Sequence, residues 1–127
     1  MMDRTMVYIC SPLRGDVTGN RKKAIMYSRM AYEMGVLPVT PHAYLTLFLD
    51  DSKPAQRYDG MEMGMQLLRN CHELWVFGNT VSLGMRSEIA MARRLGMPMR
   101  AFTQEGKPIP LSDMLENTLY RTSVLCG

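Results

Sequence analysis

"SLGMRSEIAMARRLGMP", Ser82 to Pro98, lies between two short apolar runs, "ELWVF" from Glu73 to Phe77 and "MRAF" from Met99 to Phe102. It opens on Ser-x-Gly and closes on Gly-x-Pro, which are helix start and stop signals, so the order is strand, helix, strand. Such a crossover is right-handed and leaves its two strands parallel. The same alternation runs upstream. "MVYIC", Met6 to Cys10, is a buried strand that stops at Ser11-Pro12. Ala24, Tyr27, Ala31 and Met34 then keep helical spacing up to Gly35, a left-handed cap, and "VLPVT", Val36 to Thr40, makes the second strand.

Between the second and third strands the pattern is looser. "AYLTLFL", Ala43 to Leu49, fits a partly buried helix or an irregular segment. "DDSKPAQRYDG", Asp50 to Gly60, concentrates charge, Pro and Gly and reads as a surface loop able to order over a ligand as a lid. Met61 to Arg69 is helix-prone, and "LSDMLENTLY", Leu111 to Tyr120, is a last helix. The expectation is one α/β domain over residues 1–127, a Rossmann-like (flavodoxin-like) three-layer sandwich on a mostly parallel sheet of four to five strands.

The totals exclude several classes. The chain has 127 residues, 46% apolar and 21% charged, ordinary values for a globular domain. Fifteen basic and twelve acidic residues give +3 without a basic block, so a nucleic acid polymer is not the expected partner, whereas small anions remain open. No run of 18 apolar residues occurs, and neither a signal peptide nor a membrane span is expected. Cys10, Cys71 and Cys126 are odd in number and lack metal-ligand spacing, which fits a reduced, cytoplasmic setting and no metal. The fourteen methionines read as core filling.

In a parallel sheet the ligand sits beyond the carboxyl ends of the strands, which here carry "CSPLRGD" and "GNTVSLGM". Neither loop is GxGxxG or GxxxxGK[ST], so the dinucleotide and P-loop fingerprints are missing and a simpler anion site is left. Ser82 caps the helix, while the free N–H groups around Leu83 and Gly84 suit a phosphate, with Gly84 allowing close approach. Glu88 follows roughly 6 to 9 Å along the axis at ~1.5 Å per residue. That is about the reach from a nucleotide's 5'-phosphate to its anomeric carbon, where a carboxylate attacks or steadies positive charge. On spacing alone each residue has a plainer reading as well. Ser82 is then only a cap, Glu88 a solvated partner of Arg94 or Lys107, Arg14 a solvated loop residue, and His42 and His72 surface or satisfied histidines.

"SLGMRSEIAMARRLGMP" resembles the SLGxxxELGxAxxLGKP helix motif of the nucleoside 2-deoxyribosyltransferase-like superfamily, most closely that of the 2'-deoxynucleoside 5'-phosphate N-hydrolases. "YICSPLRG" is similar to that family's YxCxSxRG, with Tyr8, Cys10, Arg14 and Gly15 in matching places. The resemblance implies Glu88 as nucleophile, Arg14, Gly15, Ser82 and Gly84 around the phosphate, and Tyr8 as a wall near the sugar. It further implies His42 of "TPHAY" near the base, and Ser112 of "LSDML" as a phosphate ligand given across a homodimer or larger assembly. The family's leaving-base aspartate falls on Gly64, which leaves Asp59 or Glu62 to replace it from a shifted helix or a folded lid. On a regular helix neither lies on Gly64's face, being about 140° and 160° away at ~100° per residue. Ala90 replaces a family glycine.

The expected activity is an N-glycosidase that cleaves or transfers the bond between base and (deoxy)ribose in a nucleoside or its 5'-monophosphate, without cofactor or metal. It requires Glu88 to be ionised at neutral pH, a state that Arg14 and the helix end would favour. The alternative is a non-catalytic module that binds or senses a nucleotide on the same fold.

Overall fold

A computed structural model describes residues 3–116. Alternate side chains along the central strands point to opposite faces, and both faces are buried. Val7 and Ile9 of β1 (Met6–Cys10) pack with Trp75 and Phe77 of β3 (Glu73–Phe77) and Phe102 of β4 (Met99–Phe102) on one side. Tyr8, Cys10, Leu74 and Val76 pack on the other. Strands covered on both faces read as continuous apolar runs, which is why these three are the most legible in the sequence.

The sheet has the order β2-β1-β3-β4-β5, with β2 at Leu37–Val39 and β5 at Pro108–Ile109. β1 to β4 run parallel and β5 is antiparallel to β4. Helix α1 (Val17–Glu33) covers the first face through Tyr27 and Ala31. Helices α3 (Pro54–Arg69) and α4 (Leu83–Arg94) cover the second through Leu68, Met85, Ile89 and Ala92. The three-layer α/β sandwich is therefore as expected, with strand order 2-1-3-4-5 and its switch point between β1 and β3.

Local chemistry sets the helix ends. Asp16 caps α1 by accepting from the Gly19 N–H at 3.0 Å, and after Met34 the chain turns at Gly35 with φ of 91°, a conformation that favours glycine. Ser82 caps α4, its Oγ accepting from the Met85 N–H at 3.3 Å. The sulfur of Met85 in turn accepts from the Ser82 N–H, closing the box that a Glu or Gln usually closes.

Three expectations are corrected. The lid segment Asp50 to Gly60 is mostly helix, because Pro54 occupies the first turn of α3, where its missing N–H costs nothing, and the helix runs on through Gly60. Only residues 50–53 stay irregular, folded by Asp50 Oδ1 accepting from Ser52 N–H and Oγ–H at 3.0 and 2.6 Å. The second strand is shorter, because Thr40 and Pro41 start a short helix α2 (Pro41–Tyr44), followed by a 3-10 turn, Leu45–Leu47. β5 was missing from the expected pattern; its two residues pair with β4 through a turn at Gly106, and its proline is tolerated at the sheet edge. Residues 111–116 are helical, and the remainder of the expected last helix, with Cys126, lies outside the described residues.

Met85, Met97 and Met114 fill the core, whereas Met26, Met34 and Met61 are exposed, so only part of the methionine content is core packing. Cys10 and Cys71 are buried free thiols. Among the described residues no helix is long and apolar enough to cross a membrane, and no group of His, Cys, Asp and Glu is set to hold a metal ion.

Candidate active site

At the β1/β3 switch point a cavity of about 530 Å³ opens between the β1–α1 loop, α2, α3 and the start of α4. Burial of Met85, Glu88, Ile89 and Ala92 follows helical spacing, so Glu88 lies on the face that α4 turns inward, 8% exposed. It therefore differs from a solvated partner of Arg94 or Lys107. Tyr8 Oη donates to Glu88 Oε2, and Cys10 Sγ donates to Oε1 at 3.4 Å. β1 thus presents two hydrogen-bond donors, two residues apart on the same strand face, to one carboxylate.

Burial dominates the electrostatics. It pushes Glu88 up to about 7 from an ordinary 4.5, although the hydrogen bonds from Tyr8 and Cys10 favour the ionised form. Burial, and after it the charge and hydrogen bond of Glu88, push Tyr8 and Cys10 well above their ordinary values and keep both protonated. The expectation that Arg14 and the helix end keep Glu88 ionised at neutral pH gives way to burial, which is the largest influence on this carboxyl. Arg14 lines the cavity from an exposed loop, and among the described residues no basic side chain forms an ion pair with Glu88.

The other expected residues divide. Tyr8, Arg14, His42, Ser82, Gly84 and Glu88 all line the cavity. A Cβ built on Gly84 meets nothing within 4 Å, so the helix start is open to an approaching group. Gly15 does not line the cavity; its φ of 95° shapes the turn that follows Arg14. Asp59 lies exposed and outside the cavity lining, and Glu62 is exposed and accepts from Tyr58 Oη at 3.0 Å, so neither takes the place of the missing carboxylate. Their outward placement follows from α3 being regular through this segment, the geometry that separates both from Gly64's face. Gly64 itself lines the cavity, and a Cβ there would sit 3.4 Å from Tyr8 Oη. Ser112 is exposed near the start of the last helical segment and lies outside this cavity.

The two histidines also separate. His72 Nδ1 accepts from the Met6 N–H at 2.9 Å and is structural. His42 lies at the cavity, and burial lowers its pKa, opposed by the Ser11 main chain and the Asp51 charge. Sequence reasoning missed Ser11, Asp51 and Arg57, which line the cavity too. Ser11 sat inside the quoted "CSPLRGD" loop, but nothing in its spacing separates it from the neighbouring polar residues. Asp51 and Arg57 were hidden in the segment read as a lid.

Residues 5–102 match a family model described as a domain of unknown function, DUF7768. None of the curated proteins matches the sequence. Among solved structures, a 2-deoxyribosyltransferase from Bacillus psychrosaccharolyticus superposes with a TM-score of 0.65 at 16% identity, over 87% of this chain and 82% of that one. At that identity the likeness is one of fold. The chain belongs to the DUF7768 family, and its fold is similar to that of a 2-deoxyribosyltransferase.

Proposed function

We propose that this domain cleaves or transfers across the N-glycosidic bond of a nucleoside or nucleoside 5'-monophosphate, with Glu88 as the nucleophile. The observation that carries this is the Glu88 carboxylate, buried at a ligand-sized cavity, held by Tyr8 and Cys10, and set one and a half turns inside a helix whose open N-terminus suits a phosphate. The ionised Glu88 oxygen bonds to C1' while the bond from C1' to the base nitrogen breaks and its electron pair leaves with the base. Water, or a second base, then displaces the carboxylate from C1'. Tyr8 keeps the attacking carboxylate oriented. Arg14, with its planar fork, and the Ser82–Gly84 turn hold the phosphate. The exposed Ser112 serves a neighbouring copy of the chain in a homodimer or larger assembly.

The test is incubation of the purified protein and of Glu88→Gln with a panel of nucleosides and 5'-monophosphates, with and without a second free base, read by chromatography. Base release by the native protein and none by the variant is the expected result; release retained in Glu88→Gln excludes a glutamate nucleophile. A non-catalytic nucleotide-binding module is the second reading, favoured by one feature: no carboxylate stands at Gly64 to protonate a leaving base. Saturable nucleotide binding with no base release under any of these conditions selects it.

A further inference from the structure

Cys10 is fully buried and does not line the cavity, whereas Tyr8 and Glu88 do. Its thiol therefore meets Glu88 Oε1 from the side turned away from the ligand space, while Oε2, which accepts from Tyr8 Oη, is the oxygen at the cavity wall. The two donors differ in kind: a phenol hydroxyl is a good donor and a thiol a weak one.

The thiol also has a second acceptor. Cys10 Sγ lies 3.4 Å from Glu88 Oε1 and 3.9 Å from the main-chain oxygen of Met85, three residues earlier on α4. A hydrogen bond to an ionised group is roughly twice as strong as one between neutral groups, so ionised Glu88 draws the thiol proton to Oε1. Once the carboxylate loses its charge, by protonation or by bonding to carbon, that advantage is gone. The Met85 carbonyl then accepts, and the buried thiol keeps a partner in either state.

Other charged groups do not compete for this position. Arg14, His42, Asp51 and Arg57 line the cavity, yet among the described residues none has a hydrogen bond or ion pair with Glu88. Cys71 acts on Tyr8 rather than on Glu88, and α3 faces the cavity here with the uncharged Gly64 and Met65.

We propose that Cys10 is a positioning residue: its thiol holds Oε1 of ionised Glu88 from behind, leaves Oε2 as the atom that attacks carbon, and turns to the Met85 carbonyl as the charge is consumed. The attack rests on the glycosidic reading above; the movement of the thiol proton does not.

The experiment is infrared spectroscopy of the S–H stretch in the ligand-free native protein and in Glu88→Gln, from pH 5 to pH 9, followed by pH–rate profiles of Cys10→Ser and Cys10→Ala. Cys71 and Cys126 contribute bands as well, and subtracting the spectrum of either Cys10 variant isolates Cys10. The expected band moves to lower frequency with a midpoint of about 7 in the native protein and stays fixed in Glu88→Gln. A band that does not titrate, or that titrates equally in Glu88→Gln, overturns the proposal. In turnover, Cys10→Ala loses a donor to the carboxylate and its midpoint rises by about half a unit, whereas Cys10→Ser gains a stronger donor and its midpoint falls. Base release by Cys10→Ala thus drops ~3-fold below the midpoint at unchanged KM, since Cys10 touches no ligand. Midpoints that stay at the native value in both variants, or a change in KM alone, overturn the positioning role and leave the glycosidic reading standing. No base release from any nucleotide overturns that reading and the attack by Oε2 with it, and the infrared titration decides the thiol movement either way.

Discussion

Tyr8 on β1 donates its hydroxyl to Glu88 on α4, joining residues 80 apart in sequence at the cavity wall. The contact opposes a larger effect, the burial that raises Glu88 to about 7. Native Glu88 therefore holds its proton over a range in which the unfolded chain, at an ordinary 4.5, has lost it. Its contribution to stability is fully present below 4.5 and is lost as pH rises through about 7, on the order of 3 kcal/mol in all. Glu88→Gln, which cannot titrate, removes this slope. Urea unfolding at pH 5 and pH 8 checks it: the native protein loses stability between the two, the variant much less, and parallel losses would sink the assignment.

On the proposed mechanism, burial of Glu88 sets the pH dependence of turnover and the Tyr8 hydrogen bond tunes it. A nucleophilic Glu88 must be ionised, so base release rises with pH through about 7. Tyr8→Phe removes a donor that favours the carboxylate, and a hydrogen bond to a charged group is worth about 1.5 kcal/mol at the low end, close to one pH unit. The midpoint moves up by about one unit, and the rate at pH 7 falls severalfold and recovers toward pH 9. An unmoved midpoint in a pH–rate profile of the variant removes Tyr8 from control of Glu88.

Gly64 lies inside α3 without a positive φ, so its backbone does not require glycine. A Cβ there makes ordinary contact with Tyr8 Oη at 3.4 Å. Gly64→Ala should stabilise the protein by ~0.5–1 kcal/mol through the unfolded chain's lost freedom. Gly64→Asp instead sets a second carboxylate near Tyr8 and Glu88, which raises Glu88 further. Thermal melts and the pH–rate profile separate the two variants, and a destabilised alanine variant would mean that the helix packs more tightly here than the 3.4 Å contact indicates.

The parts of the fold that declared themselves in sequence were those where local and tertiary forces agree. Met6–Cys10, and Glu73–Phe77 and Met99–Phe102 apart from Glu73 and the exposed Arg100, are apolar because both sheet faces are covered, and Gly35 and Ser82 mark helix ends by the chemistry of the ends. Pro54 and Gly60 misled because a proline in the first helical turn and a glycine within a helix look locally like loop residues. Within the site, Glu88 and Ser82 stand out because one helix fixes their spacing. Ser11, His42 and Asp51 come together only when α2 folds beside the β1–α1 loop, and no periodicity records that. Nor does spacing reveal that Glu88 is desolvated rather than paired with arginine.

Ser82 caps α4 and, on the proposed function, also holds a phosphate, two roles that a pair of substitutions separates. Its Oγ makes the cap, and at the open helix start the residue lines the same cavity as Arg14, where the proposed phosphate would sit. Ser82→Ala loses the cap, about 1 kcal/mol, together with the phosphate contact. Aspartate caps a helix as well as serine does, but it brings a negative charge to the phosphate position. Ser82→Asp therefore keeps the native melting temperature while losing 5'-monophosphate affinity, and nucleoside affinity changes little. Arg14→Ala, at an exposed residue, also keeps the melting temperature and costs ~10- to 100-fold in monophosphate affinity, the range of a hydrogen bond to a charged group. It reduces the salt dependence of binding too. Titration of monophosphate and nucleoside against the three variants at low and moderate salt decides the point. Monophosphate bound undiminished by both Ser82→Asp and Arg14→Ala would take the phosphate away from the start of α4.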